Sequence, residues 1–370
     1  MSYTKLGTPI QRAFWWFAWA LIGGPGLLAF RWYFPEAWKT PRDGPFLLVA
    51  NHTSTYDPFW IAWWLFRRST FMASSALFRF PVLGWLLPLC GCFPKEKFVK
   101  DRDSMRTLAE RYEAGDVIVL FPEGTRTFDG RTRPVLPGIG RLVKRLNARV
   151  VCARIPNGHL YHPRWARYPR WIRIQVEYDP PRTWDQDATV EQINADISEA
   201  IRIEHEAPPT GAFAPGFRTA EGLPDYLWAC PSCFEEEGLV ARRNHVRCRA
   251  CEAEWRVTTA NRLEGASSMS VPEAYDRLVE HFGTRRIEGQ VRLLRLLRGT
   301  GHEPLDEGLA SIDEEGLRVG QTLIPFSELR AVSVEVQNRL TVRRGDELLQ
   351  LLPEGQSTLK WGHFLDQRLA

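Results

Sequence analysis

His52 and Asp57 lie in the run NHTSTYDP, residues 51–58, and are candidates for a general-base pair. Five positions apart, on one ideal helix they would point roughly 140° away from each other. They can meet only if His52 lies in the turn before a helix. Pro58 favours that arrangement, because proline suits a first helical position and the residue before it avoids the α region. Asp57 then falls at the N-cap, where backbone N–H groups and the helix dipole hold a carboxylate ionised. Such a carboxylate would fix the imidazole tautomer and stabilise its protonated form, as a general base requires. The competing reading is an N-cap Asp beside an ordinary loop His.

The run FPEGTR, residues 121–126, follows the apolar stretch VIVLF. A turn holding Glu123, Gly124, Thr125 and Arg126 at the end of a buried strand suits a phosphate or another anion, onto which Arg126 can fork. The alternative is a plain turn in which Glu123 and Arg126 pair. A third group is metallic in character: Cys230 and Cys233, then Cys248 and Cys251, form two C-x-x-C pairs separated by 14 residues. That spacing reads as a four-thiolate structural zinc site of the ribbon type, closed and without an open coordination position. A redox pair would need a thioredoxin-like context that the sequence lacks. His245 is then a loop residue, and Cys90, Cys92 and Cys152 lie in apolar runs, as in a reducing compartment.

Strand and helix patterns alternate between residues 40 and 205, with strands at 46–50, 117–121, 148–155 and 171–178 and helices from Pro58, at 138–147 and at 190–205. This predicts an α/β fold, a mixed sheet flanked by helices. In open α/β sheets ligands bind beyond the carboxyl ends of the strands, where both His52 and the 121–126 turn would sit. The segment 58–69 is an intensely apolar helix pattern ending in Arg67 and Arg68. It lines an acyl channel, lies on lipid with its arginines at the headgroups, or is a buried core helix. Residues 207–224 are rich in Pro, Gly and Ala and read as linker.

Beyond it come the cysteine module, a helical pattern over 271–298, six short strand patterns, and a closing helix at 357–369 with Ser357 as N-cap. Consecutive short strands closed by one helix suggest a small β-barrel or sandwich, and the region resembles a pleckstrin-homology-like domain. Within 290–298, Arg292, Arg295 and Arg298 fall on one helical side, suited either to anionic lipid or to a helix packed on the terminal β domain. The expected division is a membrane-associating segment 1–39, a catalytic domain 40–206, a linker 207–227, a zinc ribbon 228–257, a helical connector 258–302 and the β domain 303–370.

A formal charge of +4 over 370 residues argues against a nucleic-acid partner. Nine of the 15 tryptophans precede residue 86, and indoles favour surfaces that are apolar on one side and wet on the other. Residues 13–30 carry no charge and lie between Arg12 and Arg31, but Gly23-Gly24-Pro25-Gly26 interrupts a helix there. A shallow or re-entrant membrane anchor is expected, with a single span and a buried hairpin as alternatives. The following segment gives no signal-peptide cleavage site.

The NH-x4-D of residues 51–57 and the FPEGTR of 121–126 resemble the first and third sequence blocks of the glycerolipid acyltransferase family, whose best-known members are the lysophosphatidic acid acyltransferases. GCFPKEK (91–97) and ARVVCARIPNG (148–158) stand where the second and fourth blocks fall and match more loosely. The resemblance implies that His52 and Asp57 catalyse transfer of a fatty acyl group from acyl-CoA or acyl carrier protein to a hydroxyl of a lysophospholipid-like acceptor. Asn51, Gly91, Lys97, Glu123, Gly124, Thr125 and Arg126 would bind substrate.

Lys97 replaces the family's usual Arg and loses the bidentate fork, and Cys152 replaces its usual Pro and is expected to pack as a small hydrophobe. The acceptor implied is 1-acyl-glycerol-3-phosphate, used in phospholipid biosynthesis at the cytoplasmic face of a membrane. A non-glycerophosphate lipid acceptor, or a catalytically silent lipid-binding scaffold, is the alternative.

Overall fold

The computed structural model describes residues 36–62, 67–95, 102–203, 215–283, 285–297, 301–335 and 339–369, with isolated positions 13, 17, 20, 34 and 65. Lys97, Arg298 and, those isolated positions apart, the expected anchor 13–30 lie outside the described residues. The chain divides into two compact units: Met1–Arg164 with Pro169–Gly216, and Trp165–Tyr168 with Phe217–Ala370.

The first unit is built on a six-stranded sheet. Its elements are β1 (Phe46–Ala50), α1 (Asp57–Ala62), β2 (Ser69–Ser74), α2 (Pro81–Leu89), β3 (Cys92–Lys95), α3 (Arg102–Glu113), β4 (Val117–Leu120), α4 (Gly138–Leu146), β5 (Val150–Arg154), α5 (Gly158–Tyr161), β6 (Glu177–Tyr178) and α6 (Val190–Ala200). The strand order is β3-β2-β4-β1-β5-β6, parallel except for antiparallel β6. The sheet is therefore mixed and flanked by helices, as expected.

The central strands are continuous apolar runs because both faces are covered. Phe46, Leu48, Ala50, Val117, Val119, Val151 and Ala153 point to one core with Trp60, Ile61, Ile174 and Tyr178. Leu47, Val49, Ile118, Leu120, Val150 and Cys152 point to the other, under Leu108, Leu142, Val143, Ile193 and Ile197. The alternation is that of strands buried on both sides.

Two expectations change here. The strand pattern at 171–178 yields only the two residues of β6, because the Asn157 side chain takes main-chain groups that a strand would offer its neighbour. Its Nδ2 donates to Arg173 O at 2.5 Å, and its Oδ1 accepts from Gln175 N at 3.1 Å. The apolar helix expected over 58–69 is described over Asp57–Ala62, where Trp60, Ile61 and Ala62 are buried as in a core helix, and Ser69 already belongs to β2. Its arginines serve the fold: Arg67 donates to Pro41 O (3.2 Å) and Gly44 O (2.6 Å), and Arg68 pairs with Asp116.

Among the described residues, α2 leaves apolar side chains uncovered. Phe80, Val82, Leu83 and Trp85 are exposed, and no charged residue falls between Arg79 and Lys95. Among the described residues no helix is long and apolar enough to cross a membrane.

In the second unit, residues expected at the end of a linker are folded, with α7 (Leu223–Tyr226) and buried Ala220, Leu223 and Tyr226. An antiparallel sheet follows in sequence order: β7 (Leu239–Arg242), β8 (His245–Cys248), β9 (Glu254–Val257), β10 (Arg262–Gly265) and β11 (Ser268–Ser270). Then come α8 (Val271–Phe282), β12 (Ile287–Leu296), β13 (His302–Ile312), β14 (Gly316–Val319), β15 (Thr322–Pro325), β16 (Leu329–Glu335), β17 (Arg339–Arg344), β18 (Glu347–Pro353) and α9 (Thr358–Leu369). The seven later strands form one antiparallel sheet, β15-β14-β13-β12-β18-β17-β16, a half-barrel whose edge strands β15 and β16 are not neighbours.

The helical connector expected over 258–302 is thus replaced. Among its described residues only 271–282 is helical, and 287–296 is a strand between β13 and β18. Val291 and Leu293 are buried at a two-residue period, while Arg292 pairs with Glu354 (3.3 Å) and Arg295 with Glu303 (3.0 Å) and Glu347 (3.1 Å). Those arginines meet carboxylates across the sheet, so no basic helical face forms. At the C-terminus, Leu359 N donates to Ser357 Oγ at 3.2 Å, and Ser357 caps α9.

Candidate active site

β1 and β4 are parallel neighbours, so the chain segments leaving their carboxyl ends lie side by side. One carries His52 and the other the 121–126 turn. His52 Nδ1 lies 2.8 Å from Asp57 Oδ2. A carboxylate only accepts, so Nδ1 carries the hydrogen and Nε2 keeps its lone pair. The same carboxylate accepts from Thr53 N (2.5 Å), Ser54 N (2.8 Å) and Thr53 Oγ1 (2.8 Å), and Asp57 is fully buried.

This corrects the expected N-cap. Asp57 is the first residue of α1, and its carboxylate turns back to the amides of the preceding loop instead of capping the helix. The loop amides are closer because residues 53 and 54 fold over the carboxylate, with Asp57 N donating to Ser54 O at 3.3 Å. The imidazole–carboxylate pair itself forms through the turn before the helix, as the five-residue spacing requires.

The turn after β4 grips His52 at both ends of its main chain. His52 N donates to Glu123 Oε1 at 2.6 Å, and His52 O accepts from Thr127 N at 2.9 Å. The ring stacks on Phe121 with centroids 4.2 Å apart and planes 19° from parallel. With the side chain 21% exposed, the imidazole is held in place yet reachable.

Glu123 does not pair with Arg126. Its second oxygen accepts from Arg133 N at 2.7 Å, and burial pushes the carboxyl up to about 7, although both amide bonds pull it down. Arg126 Nη1 donates to Thr55 Oγ1 at 3.0 Å, and burial lowers its pKa while Asp57 opposes that shift. Gly124 N donates to Phe121 O at 3.1 Å and closes the turn.

The other expected site residues hold the frame. Asn51 is buried and joins β1 to the end of β5, with Oδ1 accepting from Ile155 N (2.8 Å) and Nδ2 donating to Ile155 O (3.3 Å). Gly91 has φ +79°, and a Cβ there would lie 2.3 Å from Ser69 O, so this turn into β3 excludes any side chain. Cys152 is buried in the core and its thiol is pushed up to about 12 by that burial, which suits packing over reactivity.

Two residues escaped the sequence reading. Arg164 donates to Thr125 Oγ1 (3.2 Å) and to Arg126 O (3.1 Å), and its guanidinium sits 4.0 Å from the Phe128 ring centroid. It brings a second guanidinium to the cationic turn, with no motif to mark it. Gly158 leaves room for the aspartate network, since a Cβ there would lie 2.3 Å from Thr53 Oγ1. Its place at the end of the fourth block was the available signal.

In the other unit, the Sγ atoms of Cys230, Cys233, Cys248 and Cys251 all lie within 4.8 Å of one another. Cys230 to Cys251 is 3.8 Å and Cys233 to Cys248 is 3.7 Å. A tetrahedron with Zn–S bonds of about 2.3 Å separates its sulfurs by ~3.8 Å. Those two pairs match that figure, and the four thiols could hold a metal ion.

Residues 33–155 match the family model described as Acyltransferase. The 1-acyl-sn-glycerol-3-phosphate acyltransferase of Limnanthes alba is 27% identical over 154 residues, which are 40% of this chain and 53% of that protein. The chloroplastic 1-acyl-sn-glycerol-3-phosphate acyltransferase BAT2 of Brassica napus is 29% identical over 111 residues, 30% of this chain and 32% of that protein. The chain thus spans about half the length, or less, of these curated relatives. Among solved structures, the 1-acyl-sn-glycerophosphate (LPA) acyltransferase PlsC of Thermotoga maritima aligns with a TM-score of 0.40 at 16% identity, covering 52% of this chain and 92% of that one. The acyltransferase-like part of the chain is thus residues 33–155.

Proposed function

We propose that this protein transfers a fatty acyl group from a thioester, acyl-CoA or acyl carrier protein, to the hydroxyl of a lysophospholipid-like acceptor, 1-acyl-glycerol-3-phosphate in phospholipid biosynthesis. The observation that carries the proposal is His52, oriented through Nδ1 by buried Asp57 and set beside the turn that bears Arg126.

The acceptor hydroxyl gives its proton to His52 Nε2 as its oxygen bonds to the thioester carbonyl carbon. The C–S bond then breaks, and the leaving thiolate takes the proton back from Nε2. Asp57 stabilises the imidazolium between the two transfers. Arg126, Thr125, Gly124 and Lys97 meet the acceptor's phosphate. Asn51, Gly91 and Glu123 act by holding the loops that carry these groups.

The acceptor is drawn from a membrane, and the uncovered apolar helix α2 supports contact with lipid at its cytoplasmic face. The four cysteines hold a structural zinc ion, which supplies cross-linking and no chemistry to the transfer. The half-barrel with its closing helix is of the pleckstrin-homology kind.

Purified protein with labelled acyl-CoA or acyl carrier protein and a panel of lysolipids should give an acylated product. His52→Ala should lower turnover by roughly 100- to 10,000-fold. Failure of every thioester and acceptor in the wild type would overturn the proposal. A requirement for Arg126 only with phosphate-bearing acceptors would confirm the phosphate assignment, and an equal loss with uncharged acceptors would remove it.

A further inference from the structure

The four-thiol cluster anchors more than its own loop. From Cys230 to Glu237 the chain closes on itself: Phe234 N donates to Cys230 O (2.8 Å), Cys230 N to Glu235 O (3.0 Å) and Glu237 N to Trp228 O (2.7 Å). Phe234 and Glu237 sit at φ +62° and +53°, left-handed conformations that side-chain-bearing residues adopt only when their surroundings impose them.

Three anchors, from Phe234, Glu236 and Glu237, leave this knuckle toward later parts of the chain. The Phe234 ring stacks on His281 of α8, with centroids 3.7 Å apart and planes 2° from parallel. Glu236 ion-pairs with Lys360 of α9, whose side chain is 3% exposed. Glu237 Oε1 accepts from Ser357 N at 3.2 Å, and Ser357 both caps α9 and donates through Oγ to Asp225 O at 2.5 Å. Beyond that cap, α9 buries Trp361, Phe364 and Leu365.

We infer that metal held by Cys230, Cys233, Cys248 and Cys251 controls the seating of the C-terminal helix α9, through Glu236 and Glu237 of the first knuckle. The knuckle is the origin of both carboxylates, and its backbone is held in shape by two of the four ligands. Removing the ion frees that backbone. Lys360 then faces a buried position with its partner carboxylate displaced, a state strongly disfavoured for a cation. The cap at Ser357 loses the carboxylate that positions its amide. The helix answers by leaving its seat, since a solvated Lys360 is the lower-energy alternative.

The inference concerns the metal and the tail, and stands or falls apart from the acyl-transfer reading. Hydrogen exchange on the full chain tests it, under reducing conditions, in zinc-loaded protein, chelator-stripped protein and stripped protein given zinc again. Stripping should accelerate exchange of the α9 amides 359–366 by roughly tenfold or more, zinc should restore protection, and the β1 amides 46–50 should not change.

Retained α9 protection after stripping overturns the inference. So does equal loss at β1, or a chain that takes up no zinc. The variant Glu236→Gln with Glu237→Gln, kept zinc-loaded, separates the route from general unfolding. It should keep its metal content and still show faster α9 exchange. Unchanged exchange there would sink the proposed route.

Discussion

Glu123 illustrates how one side chain serves the site at a cost to stability. Its carboxylate accepts two main-chain amides in a position where burial raises its pKa to about 7. The folded state therefore retains a proton between the ordinary carboxylate value and about 7 that the unfolded chain has already released, so this group favours folding at low pH and opposes it as pH rises to 7. The full swing is on the order of 3 kcal/mol. Glu123→Gln removes the ionisation, and the variant should gain thermal stability relative to wild type as pH is raised from 5 to 8. An unchanged difference across that range would show that Glu123 does not titrate there. The same variant places an amide N–H₂ against one of two N–H donors, so the grip on His52 weakens. We expect kcat to fall by roughly 10- to 100-fold with little change in KM for the acceptor, in line with loss of one charge-assisted bond. A rise in KM alone would return Glu123 to the substrate-binding group.

At the scale of elements, β1, β4 and β5 were legible because continuous apolar runs such as FLLVA and VIVL need cover on both faces, whereas β2 and β3, toward one edge of the sheet and without such a run, went unread. The meeting of His52 and Asp57 was legible for a similar reason, as only a turn before the helix lets that spacing close. The direction of Glu123 was hidden, because sequence does not say that a turn carboxylate points back to the amide of a neighbouring loop. The β12 strand was hidden by Leu294, which completes a helical repeat in VRLLRLLR, and the pairing with β13 and β18 overrode it. Two elements invite direct tests. Gly158→Ala should destabilise the chain by on the order of 2 kcal/mol in urea titration and reduce turnover, since its Cβ displaces Thr53 from Asp57. Trp85→Glu should weaken sedimentation with phospholipid vesicles by ~10-fold, the value of one buried indole or more. Binding that is unaffected by this change would remove α2 from the lipid contact.

For the whole molecule, each of the two units has its own buried core. One is organised around the parallel sheet, and the other holds Trp228, Trp255 and Trp361, each essentially inaccessible to solvent. Only the second contains the four thiols. Chelation should therefore lower the temperature at which protection is lost in the second unit and leave the β1–β4–β5 amides at their original midpoint, as followed by hydrogen exchange during a thermal ramp. A common downward shift would mean that the ion supports the entire chain. The main-chain clamp on His52 has a different reach. A base tethered by both its amide and its carbonyl has no spare travel, so no loop closure can bring it to the substrate. On the proposed function, lipid and thioester are delivered to a stationary point. Change of acceptor in related proteins would then come from remodelling the walls around the imidazole, never from relocating it.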